Sequence, residues 1–426
     1  MLKSHLFKNS IYTVAALSCV GLVPFLFNIL VARTFGKDVL GEVNIALSFS
    51  LIITLFVTNY FGTAGNKFLA EYRGRNYLEP FKFILFFILI VPVLFLTIIV
   101  LFLIWQWDYF SSQFSIQPEL LLPIIFYIYF RSYYIIFRRL FYGVDLVKNY
   151  AIIEISSDLF FFISIGLVTS LNLPHLLIHT YLMGYIFFTI LSLILVSKKY
   201  KTLIDPLQSV RHYNYKPILR DVNKYGLLTM IGTSASTGTG YLSMIFTGYY
   251  LSTSDAGTYS SVLAIISILM FLPRLVTQVL LPEFSKLYGA GDYALIIKTL
   301  KYTIASLTVI SLVIIVPLFI FSDTILAIFG PSFSNGSQIL RIILPSVFLR
   351  IVSVPLITFL SGTKYVLYPN IGGIIIFISS VISWYLLVPS LNLIGIAIGY
   401  SFGIILGIVY LIIMSGIKLR KFQLDH

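Results

Sequence analysis

The sequence has little of what soluble enzymes use for chemistry. Only 11% of its 426 residues are charged, whereas soluble domains carry about 25%. The single cysteine, Cys19, excludes an internal disulfide and a cysteine-based zinc site. His175 and His179 are at helical spacing but lack the glutamate of a metalloprotease motif, and no Walker, dinucleotide-binding or nucleophile-elbow motif is present. We therefore predict that the protein is not an enzyme and uses no metal or cofactor.

Apolar residues are abundant and make up 58% of the chain. A single soluble core stops growing at about 250–300 residues, so a chain this long and this apolar needs lipid as part of its solvent. A helix needs around 20 apolar residues to cross about 30 Å of hydrocarbon. The stretches of that length are 11–32, 43–62, 81–105, 120–142, 150–171, 174–196, 225–250, 257–281, 302–321, 338–361, 367–389 and 393–415. The sequence therefore predicts an all-α integral membrane protein with about twelve transmembrane helices.

The basic residues are distributed unevenly around these predicted spans. With the N-terminus inside, 23 of the 29 Lys and Arg residues fall in inner segments, two (Arg33 and Lys37) in outer loops and four within spans. Short cytoplasmic loops retain Lys and Arg. We predict that both termini are cytoplasmic, and that the net charge of +13 reflects topology rather than nucleic-acid binding.

The longest inner segment divides the spans six and six. Its seven basic residues predict a cytoplasmic linker, 197–224, between an N-terminal lobe, 1–196, and a C-terminal lobe, 225–426. Sliding the sequence by 216 residues aligns the first two spans with the seventh and eighth and pairs Gly41 with Gly257. Both halves then show the same order of span, short outer loop, span and basic inner segment, which indicates an internal repeat.

Two segments carry a family resemblance. The first, between spans one and two, reads Val31-Ala-Arg-Thr-Phe-Gly-Lys-Asp-Val-Leu-Gly-Glu-Val43 and resembles the AR-x-L-G-x-x-x-x-G-x-Y signature of Wzx-type polysaccharide flippases. The second, between spans seven and eight, reads Gly248-Tyr-Tyr-Leu-Ser-Thr-Ser-Asp-Ala-Gly-Thr-Tyr259. The first copy has Val43 where the signature prefers Tyr, and the second has Ser252 where it prefers Gly.

This resemblance groups the chain with the MATE-like exporters of the MOP superfamily, which also includes the lipid II flippase. It implies two six-helix lobes that face each other across a central cavity and open alternately to the two sides. It also implies a cargo, an O-antigen or capsule repeat unit linked to undecaprenyl diphosphate, and a location in the bacterial cytoplasmic (inner) membrane. The expected partners are this lipid-linked oligosaccharide, the bilayer and other polysaccharide assembly proteins.

Six ionisable residues lie within the predicted spans and away from their ends, namely Arg131, Glu154, Asp158, Arg274, Arg341 and Arg350. A charge at the centre of a span costs about 2.5–3.5 kcal/mol on insertion, so each is expected to face a cavity or a partner. Guanidinium groups bind phosphate oxygens two at a time. The candidate substrate-binding residues for a lipid diphosphate are therefore the four arginines and Tyr134, which lies beside Arg131.

The four arginines differ in their predicted depth. Arg350 is the strongest candidate because it lies roughly 18 Å into its span, close to the bilayer centre. Arg274 follows Pro273 near the cytoplasmic side, where a loosened turn could present it to a cavity. Arg341 lies near the outer end of its span and could instead extend to the interface.

Glu154 and Asp158 are four residues apart, which puts both carboxylates on one face of a helix. Three interpretations stay open, one of which is that Glu154 is simply exposed at the membrane interface. Arg131 and Asp158 lie at similar depth in neighbouring antiparallel spans, which favours a buried ion pair between them. Alternatively, the two carboxylates couple transport to a proton or sodium gradient, or the membrane potential alone drives it. Tyr134 could likewise stack on a sugar or simply pack within the bundle.

Two other functions compete with the flippase. A multidrug exporter of the same superfamily carries mostly cationic cargo and should favour acidic cavities, whereas here four intramembrane arginines outnumber two carboxylates. A membrane glycosyltransferase or polysaccharide polymerase should have a sizeable outer loop with catalytic Asp, Glu or Arg. The predicted outer loops are short.

Overall fold

The computed structural model describes residues 2–200 and 215–424, and in these ranges every regular element is helical. The predicted all-α membrane fold is confirmed. The α-helices are α1 (Leu2–Val57), α2 (Thr63–Gly74), α3 (Leu78–Trp105), α4 (Trp107–Gln113), α5 (Leu121–Gly143), α6 (Val147–Ser170), α7 (Leu177–Lys199), α8 (Lys216–Tyr250), α9 (Thr253–Leu269), α10 (Phe271–Gly289), α11 (Tyr293–Ile320), α12 (Ser322–Leu326), α13 (Ser337–Val352), α14 (Val354–Gly362) and α15 (Leu367–Leu424). The middle of the predicted linker lies outside the described residues.

Two of these helices contain a sharp joint that divides them into two spans. In α1 the joint is at Gly36, where φ is 83° and ψ is −171°. Glycine tolerates this conformation because it has no Cβ to clash with the backbone. In α15 the joint is at Asn392, with φ at 50°, and the Trp384 indole donates a hydrogen bond to the Ile396 carbonyl across it at 3.0 Å. The joints therefore supply the turns predicted between spans one and two and between spans eleven and twelve.

Nine segments of the described chain are long and apolar enough to cross a membrane. Two of them, Ser18–Gly74 and Leu367–Arg420, contain the joints and so provide two spans each. The remaining predicted span is α8, whose interior carries the run of small and polar residues 232–240. These segments together account for the twelve predicted spans.

Several helices continue beyond their predicted ends on the basic side. α2 runs on to Gly74, α8 begins at Lys216, α10 ends at Gly289 and α11 begins at Tyr293. These extensions carry Lys and Arg, so hydropathy marks the end of the apolar stretch and not the end of the helix. The helix continues past that point, because Lys and Arg are good helix formers once they reach water.

The chain forms two compact units. Unit 1 comprises Met1–Val23 and Ile45–Met230, and unit 2 comprises Pro24–Asn44 and Ile231–His426. Each unit has its own aromatic core. Fully buried phenylalanines of these cores include Phe137, Phe141 and Phe188 in unit 1 and Phe284 and Phe359 in unit 2. The part of α1 around Gly36 groups with unit 2, while the predicted boundaries 1–196, 197–224 and 225–426 stay a prediction.

A close backbone crossing inside unit 2 joins the two repeated segments. A Cβ on Gly41 would lie 2.7 Å from the Gly257 nitrogen and nearer still to the Thr253 oxygen, and a Cβ on Gly257 would meet the Lys37 backbone in the same way. Lys37 and Thr253 are also 216 residues apart, so the two contacts correspond under the predicted repeat. The Thr253 hydroxyl donates to Asp38 Oδ1 at 3.3 Å. Gly41 and Gly257, which the repeat aligns, are thus in physical contact.

Both departures from the flippase signature have structural explanations. Ser252 has extended backbone, and its hydroxyl accepts a hydrogen bond from the Asp255 nitrogen at 3.1 Å to cap α9. Ser252 occupies the position that the repeat aligns with Gly36. The serine starts its helix by capping, whereas Gly36 turns the chain with a positive φ. The buried Tyr259 hydroxyl donates to Ser243 at 3.0 Å, whereas Val43 is buried without a polar atom to satisfy.

Candidate functional site

A buried polar cluster in unit 1 joins α5 and α6. The Tyr134 hydroxyl donates a hydrogen bond to Glu154 Oε1, and Arg138 Nη1 donates to the Tyr134 oxygen at 3.3 Å. Tyr134 and Arg138 lie on one face of α5 because four residues separate them. Glu154 is fully buried. The cluster is therefore a chain of guanidinium, hydroxyl and carboxylate within the membrane part of unit 1.

Asp158 lies one turn beyond Glu154 on the same face of α6. Oδ2 of Asp158 and Oε2 of Glu154 are buried and have no hydrogen-bond partner among the described residues. A buried polar atom left without a partner costs about 1–3 kcal/mol. The two carboxylates therefore each keep one buried oxygen that lacks a hydrogen-bond partner among the described residues.

Arg131 does not form the predicted ion pair with Asp158. Within the described ranges, no basic nitrogen lies within 4.0 Å of the Asp158 carboxylate. The Arg131 guanidinium lies instead over the rings of Tyr134 and Tyr185, 4.9 Å and 5.0 Å from their centroids. Aromatic faces attract cations. Equal depth in two neighbouring helices was a poor guide, because it does not specify which way each side chain turns.

Arg139 was not predicted as a site residue, since sequence analysis counted it among the inner basic residues. It donates to the Thr58 carbonyl at 2.9 Å, to Asn59 Oδ1 at 2.8 Å and to the Thr63 hydroxyl. These acceptors belong to or adjoin a π-helical turn, Thr58–Gly62, between α1 and α2. Such turns leave carbonyls without their usual partners and are frequent at functional sites.

Gly62 makes room for this interaction. A Cβ there would lie 2.8 Å from the Arg139 Cδ atom. The grouping of Asn59, Gly62 and Thr63 within an apolar helix was the sequence signal that could have pointed to Arg139. This signal points to Arg139 only when α2 and α5 are known to be neighbours, as they are in unit 1.

In unit 2, Arg350 is half-buried in the last turn of α13. It lies 13 residues after Ser337, where that helix begins, which is about 20 Å along the helix axis. No carboxylate of the described chain lies within 4.0 Å of its guanidinium, and the side chain makes no hydrogen bond to a described residue. Arg350 therefore has neither an acidic nor a hydrogen-bonding partner for its side chain among the described residues.

Arg341 is occupied by a neighbouring carboxylate. Its Nη2 atom lies 2.5 Å from Asp323 Oδ2, and its Nε atom donates to the Phe319 carbonyl at 3.3 Å. A hydrogen bond from Ser337, together with Arg341, lowers the pKa of the exposed Asp323 carboxyl below its ordinary value. This pair favours a role for Arg341 in holding α13 against the segment that precedes it.

Arg274 is exposed in the first turn of α10, immediately after Pro273. The first turn of a helix carries partial positive charge from its unpaired N–H groups. The Arg274 guanidinium adds to that positive charge. The assignment of Arg274, Arg341, Arg350, Arg131 and Tyr134 to substrate binding stays a prediction.

Comparison with known families decides the general class. The family described as "Polysaccharide biosynthesis protein" matches residues 6–288, about two thirds of the chain. The chain belongs to this family. A second family, described as MatE, matches residues 229–386 of this polysaccharide biosynthesis protein.

Solved structures show the same fold. An inward-facing multidrug resistance MATE family transporter of the MOP superfamily superposes with a TM-score of 0.79 over 97% of this chain and 95% of that one, at 14% identity. The lipid II flippase MurJ, in an inward closed conformation, gives 0.66 over 97% and 90%, at 17% identity. A MOP superfamily transporter from Pyrococcus furiosus, described as having a binding pocket of reverse polarity, gives 0.70 over 99% and 96%, at 13% identity.

One curated relative is 25% identical over 411 residues, covering 89% of this chain and 78% of its own length. It is an uncharacterised membrane protein, MJ1068, from Methanocaldococcus jannaschii. The chain is therefore a multi-pass helical membrane protein of the polysaccharide biosynthesis protein family, and it has the same fold as the solved MATE transporter and the lipid II flippase MurJ.

Proposed function

We propose that the protein is a flippase for an oligosaccharide repeat unit linked to undecaprenyl diphosphate. It would move this unit across the bacterial cytoplasmic membrane by alternating access, for the assembly of a surface polysaccharide. The family match supports the polysaccharide connection. The resemblance to a lipid II flippase, which belongs to the same superfamily, is consistent with a lipid-linked cargo.

The observation that carries this proposal is the unpaired guanidinium of Arg350. Keeping a charge inside a membrane helix is expensive, and natural proteins normally pair it. Arg350 has no acidic partner among the described residues, whereas Arg341 on the same helix has one. A diphosphate provides the missing negative charge, and it suits a guanidinium because planar N–H donors match phosphate oxygens two at a time.

The buried carboxylates of unit 1 are proposed to couple transport to an ion gradient. Each has one oxygen without a hydrogen-bond partner in the described chain, so uptake of a proton or a sodium ion would stabilise the cluster. Tyr134 links Glu154 to Arg138, and a change of charge on the carboxylate would alter that chain of contacts. An inside-negative potential would assist outward movement of an anionic head by about 2.3 kcal/mol per charge per 100 mV.

The test is transport of a fluorescent polyprenyl-diphosphate oligosaccharide in sealed vesicles that contain the purified protein. The wild-type protein should expose the labelled glycan to an impermeant reagent on the opposite side. Arg350→Gln should abolish this exposure, and Arg350→Lys should restore part of it because the charge returns without the planar donors. Arg75→Gln is the matched control, since Arg75 is an exposed arginine already paired with Glu71 at 3.0 Å.

Coupling is measured in the same vesicles by imposing pH, sodium or voltage gradients one at a time. Asp158→Asn should remove the dependence on one ion while leaving the protein folded. Wild-type transport by Arg350→Gln would eliminate Arg350 as the cargo-binding residue. Unchanged ion dependence in Asp158→Asn would eliminate Asp158 as a residue that couples transport to an ion gradient.

A multidrug exporter is the second candidate, and the paired carboxylates Glu154 and Asp158 favour it because they would attract a cationic drug. The MatE family match over residues 229–386 is consistent with it. The two functions differ in their cargo, so the same vesicles should be loaded with a lipophilic fluorescent cation. Efflux of the cation without movement of the glycan would show that the protein is a multidrug exporter and not a flippase.

A further inference from the structure

A lipid-facing groove lies at one end of unit 1, between the start of α6 and the end of α7. Its volume is about 610 Å³. The lining residues are Leu146, Asn149, Ile153, Leu191, Ile194, Leu195, Lys198 and Lys199. Five of these eight side chains are aliphatic, and none is acidic, aromatic or hydroxyl-bearing. The groove is separate from the polar cluster around Glu154 and from the arginines of unit 2.

The groove is apolar along its length and basic at one end. From Leu191 to Lys199 the α7 wall extends about 12 Å along the helix axis. Lys198 and Lys199 lie in the last turn of α7 and are exposed. Ile194, partway along the same wall, is 44% exposed. An amphiphile with a long apolar tail and a negatively charged head matches this distribution.

The polar groups at the basic end have no acidic or hydrogen-bonding partner among the described residues, although Lys199 Nζ lies 6.0 Å from the centroid of the Tyr200 ring. Within the described ranges, no carboxylate lies within 4.0 Å of Lys198 or Lys199. The Asn149 amide likewise makes no side-chain hydrogen bond to a described residue. Two ammonium groups and one amide therefore belong to the lining of a mostly apolar groove, and all can donate hydrogen bonds to phosphate oxygens.

We propose that this groove binds one anionic phospholipid of the surrounding bilayer, with an acyl chain along Ile153, Leu191 and Ile194 and the phosphate at Lys198 and Lys199. Basic pockets between transmembrane helices are suited to acidic lipid head groups. The transported glycan is a poorer fit, because the lining has no aromatic face or hydroxyl to contact a sugar. The site is thus distinct from cargo binding and would tie the conformation of unit 1 to membrane composition.

The test is lipid binding to the purified full-length protein, measured by native mass spectrometry after delipidation in detergent. Phosphatidylglycerol and phosphatidylcholine with identical acyl chains serve as probes, so that only the head-group charge differs. We expect one phosphatidylglycerol to be retained, and affinity to fall on the order of tenfold in the double variant Lys198→Gln/Lys199→Gln. Lys298→Gln/Lys301→Gln is the control, because it removes two exposed lysines from α11 instead.

A second measurement locates the lipid without removing any lysine. Ile194→Trp places a fluorophore in the groove, and brominated acyl chains quench nearby indoles. Dibrominated phosphatidylglycerol should quench this variant more than dibrominated phosphatidylcholine does, beyond the background from the native tryptophans. Equal binding of the two lipids, unchanged binding in Lys198→Gln/Lys199→Gln, or displacement of phosphatidylglycerol by undecaprenyl phosphate at equal concentration would each overturn the proposal.

Discussion

Alanine at Gly41 or Gly257 should destabilise unit 2, because each glycine lies where two backbones touch. A Cβ at either position falls under 3.0 Å from backbone atoms of the other segment, a separation that real Cβ atoms do not show. The obstructing atoms are backbone, so they cannot rotate away as a flexible side chain would. Insertion of a methyl group into a packed interior costs about 1–3 kcal/mol, and we expect each single variant to lose that amount.

The double variant makes the sharper prediction. Separating the two segments to accommodate one methyl group also opens the space that the other needs, since the two contacts are adjacent and correspond under the repeat. The two substitutions should therefore be strongly coupled, as expected for residues that share one contact. Gly41→Ala/Gly257→Ala should cost little more than either single change.

Equilibrium unfolding in mixed micelles, titrated with SDS and followed by circular dichroism, measures these differences. Hydrogen exchange at residues 37–41 and 253–257 should quicken in all three variants, because the Thr253 contact to Asp38 is lost with the crossing. Gly240→Ala is the control, since a Cβ there meets nothing within 4 Å. Strictly additive losses, or wild-type stability in both single variants, would refute the crossing as described.

Three further predictions concern polar contacts in the two units. Arg139→Gln should destabilise unit 1 by roughly 2 kcal/mol in the same assay, because three hydrogen bonds are lost at about 0.6 kcal/mol each in a membrane protein. Stability equal to wild type would exclude the role of Arg139 at the π-helical turn. Tyr134→Phe should lower the free energy of unfolding by roughly 0.6–1.7 kcal/mol, because it removes the donor to Glu154. It should also shift the pH dependence of transport in vesicles, and an unaltered pH profile would show that Tyr134 has no part in ion coupling. Because its partners lower the pKa of Asp323, that carboxylate stabilises the fold above its ordinary value of 3.8 and loses this contribution as pH falls further. Wild type should therefore lose thermal stability more steeply than Asp323→Asn as the pH falls below about 4, and parallel curves would contradict this.

The fold was predictable because hydropathy, length and the distribution of basic residues all point to the same arrangement. Spans are visible wherever about 20 apolar residues occur together. The joints at Gly36 and Asn392 were predictable as loops but not as single-residue breaks in otherwise continuous helices. The helix extensions beyond the apolar stretches were missed because charged residues end a span without ending a helix.

The candidate site was only partly predictable. The sequence placed Glu154 and Asp158 on one face, because helical spacing determines that relation within one element. It did not reveal that Arg131 turns towards Tyr134 and Tyr185, since packing between elements decides the direction of a side chain. For Arg139 the difficulty was similar: its partners lie about 80 positions earlier in the chain, and only the neighbouring positions of α2 and α5 bring them together.

The π-helical turn at Thr58–Gly62 contains one residue more than a regular α-helical path requires. If that surplus residue moved along the helix, each position it passed would rotate by about 100° while both helix ends stayed in place. A membrane protein could in this way exchange the side chains on one face without moving an element through the lipid. Arg139 donates hydrogen bonds to this turn at its present place. These bonds would have to break before the surplus residue could move along the helix.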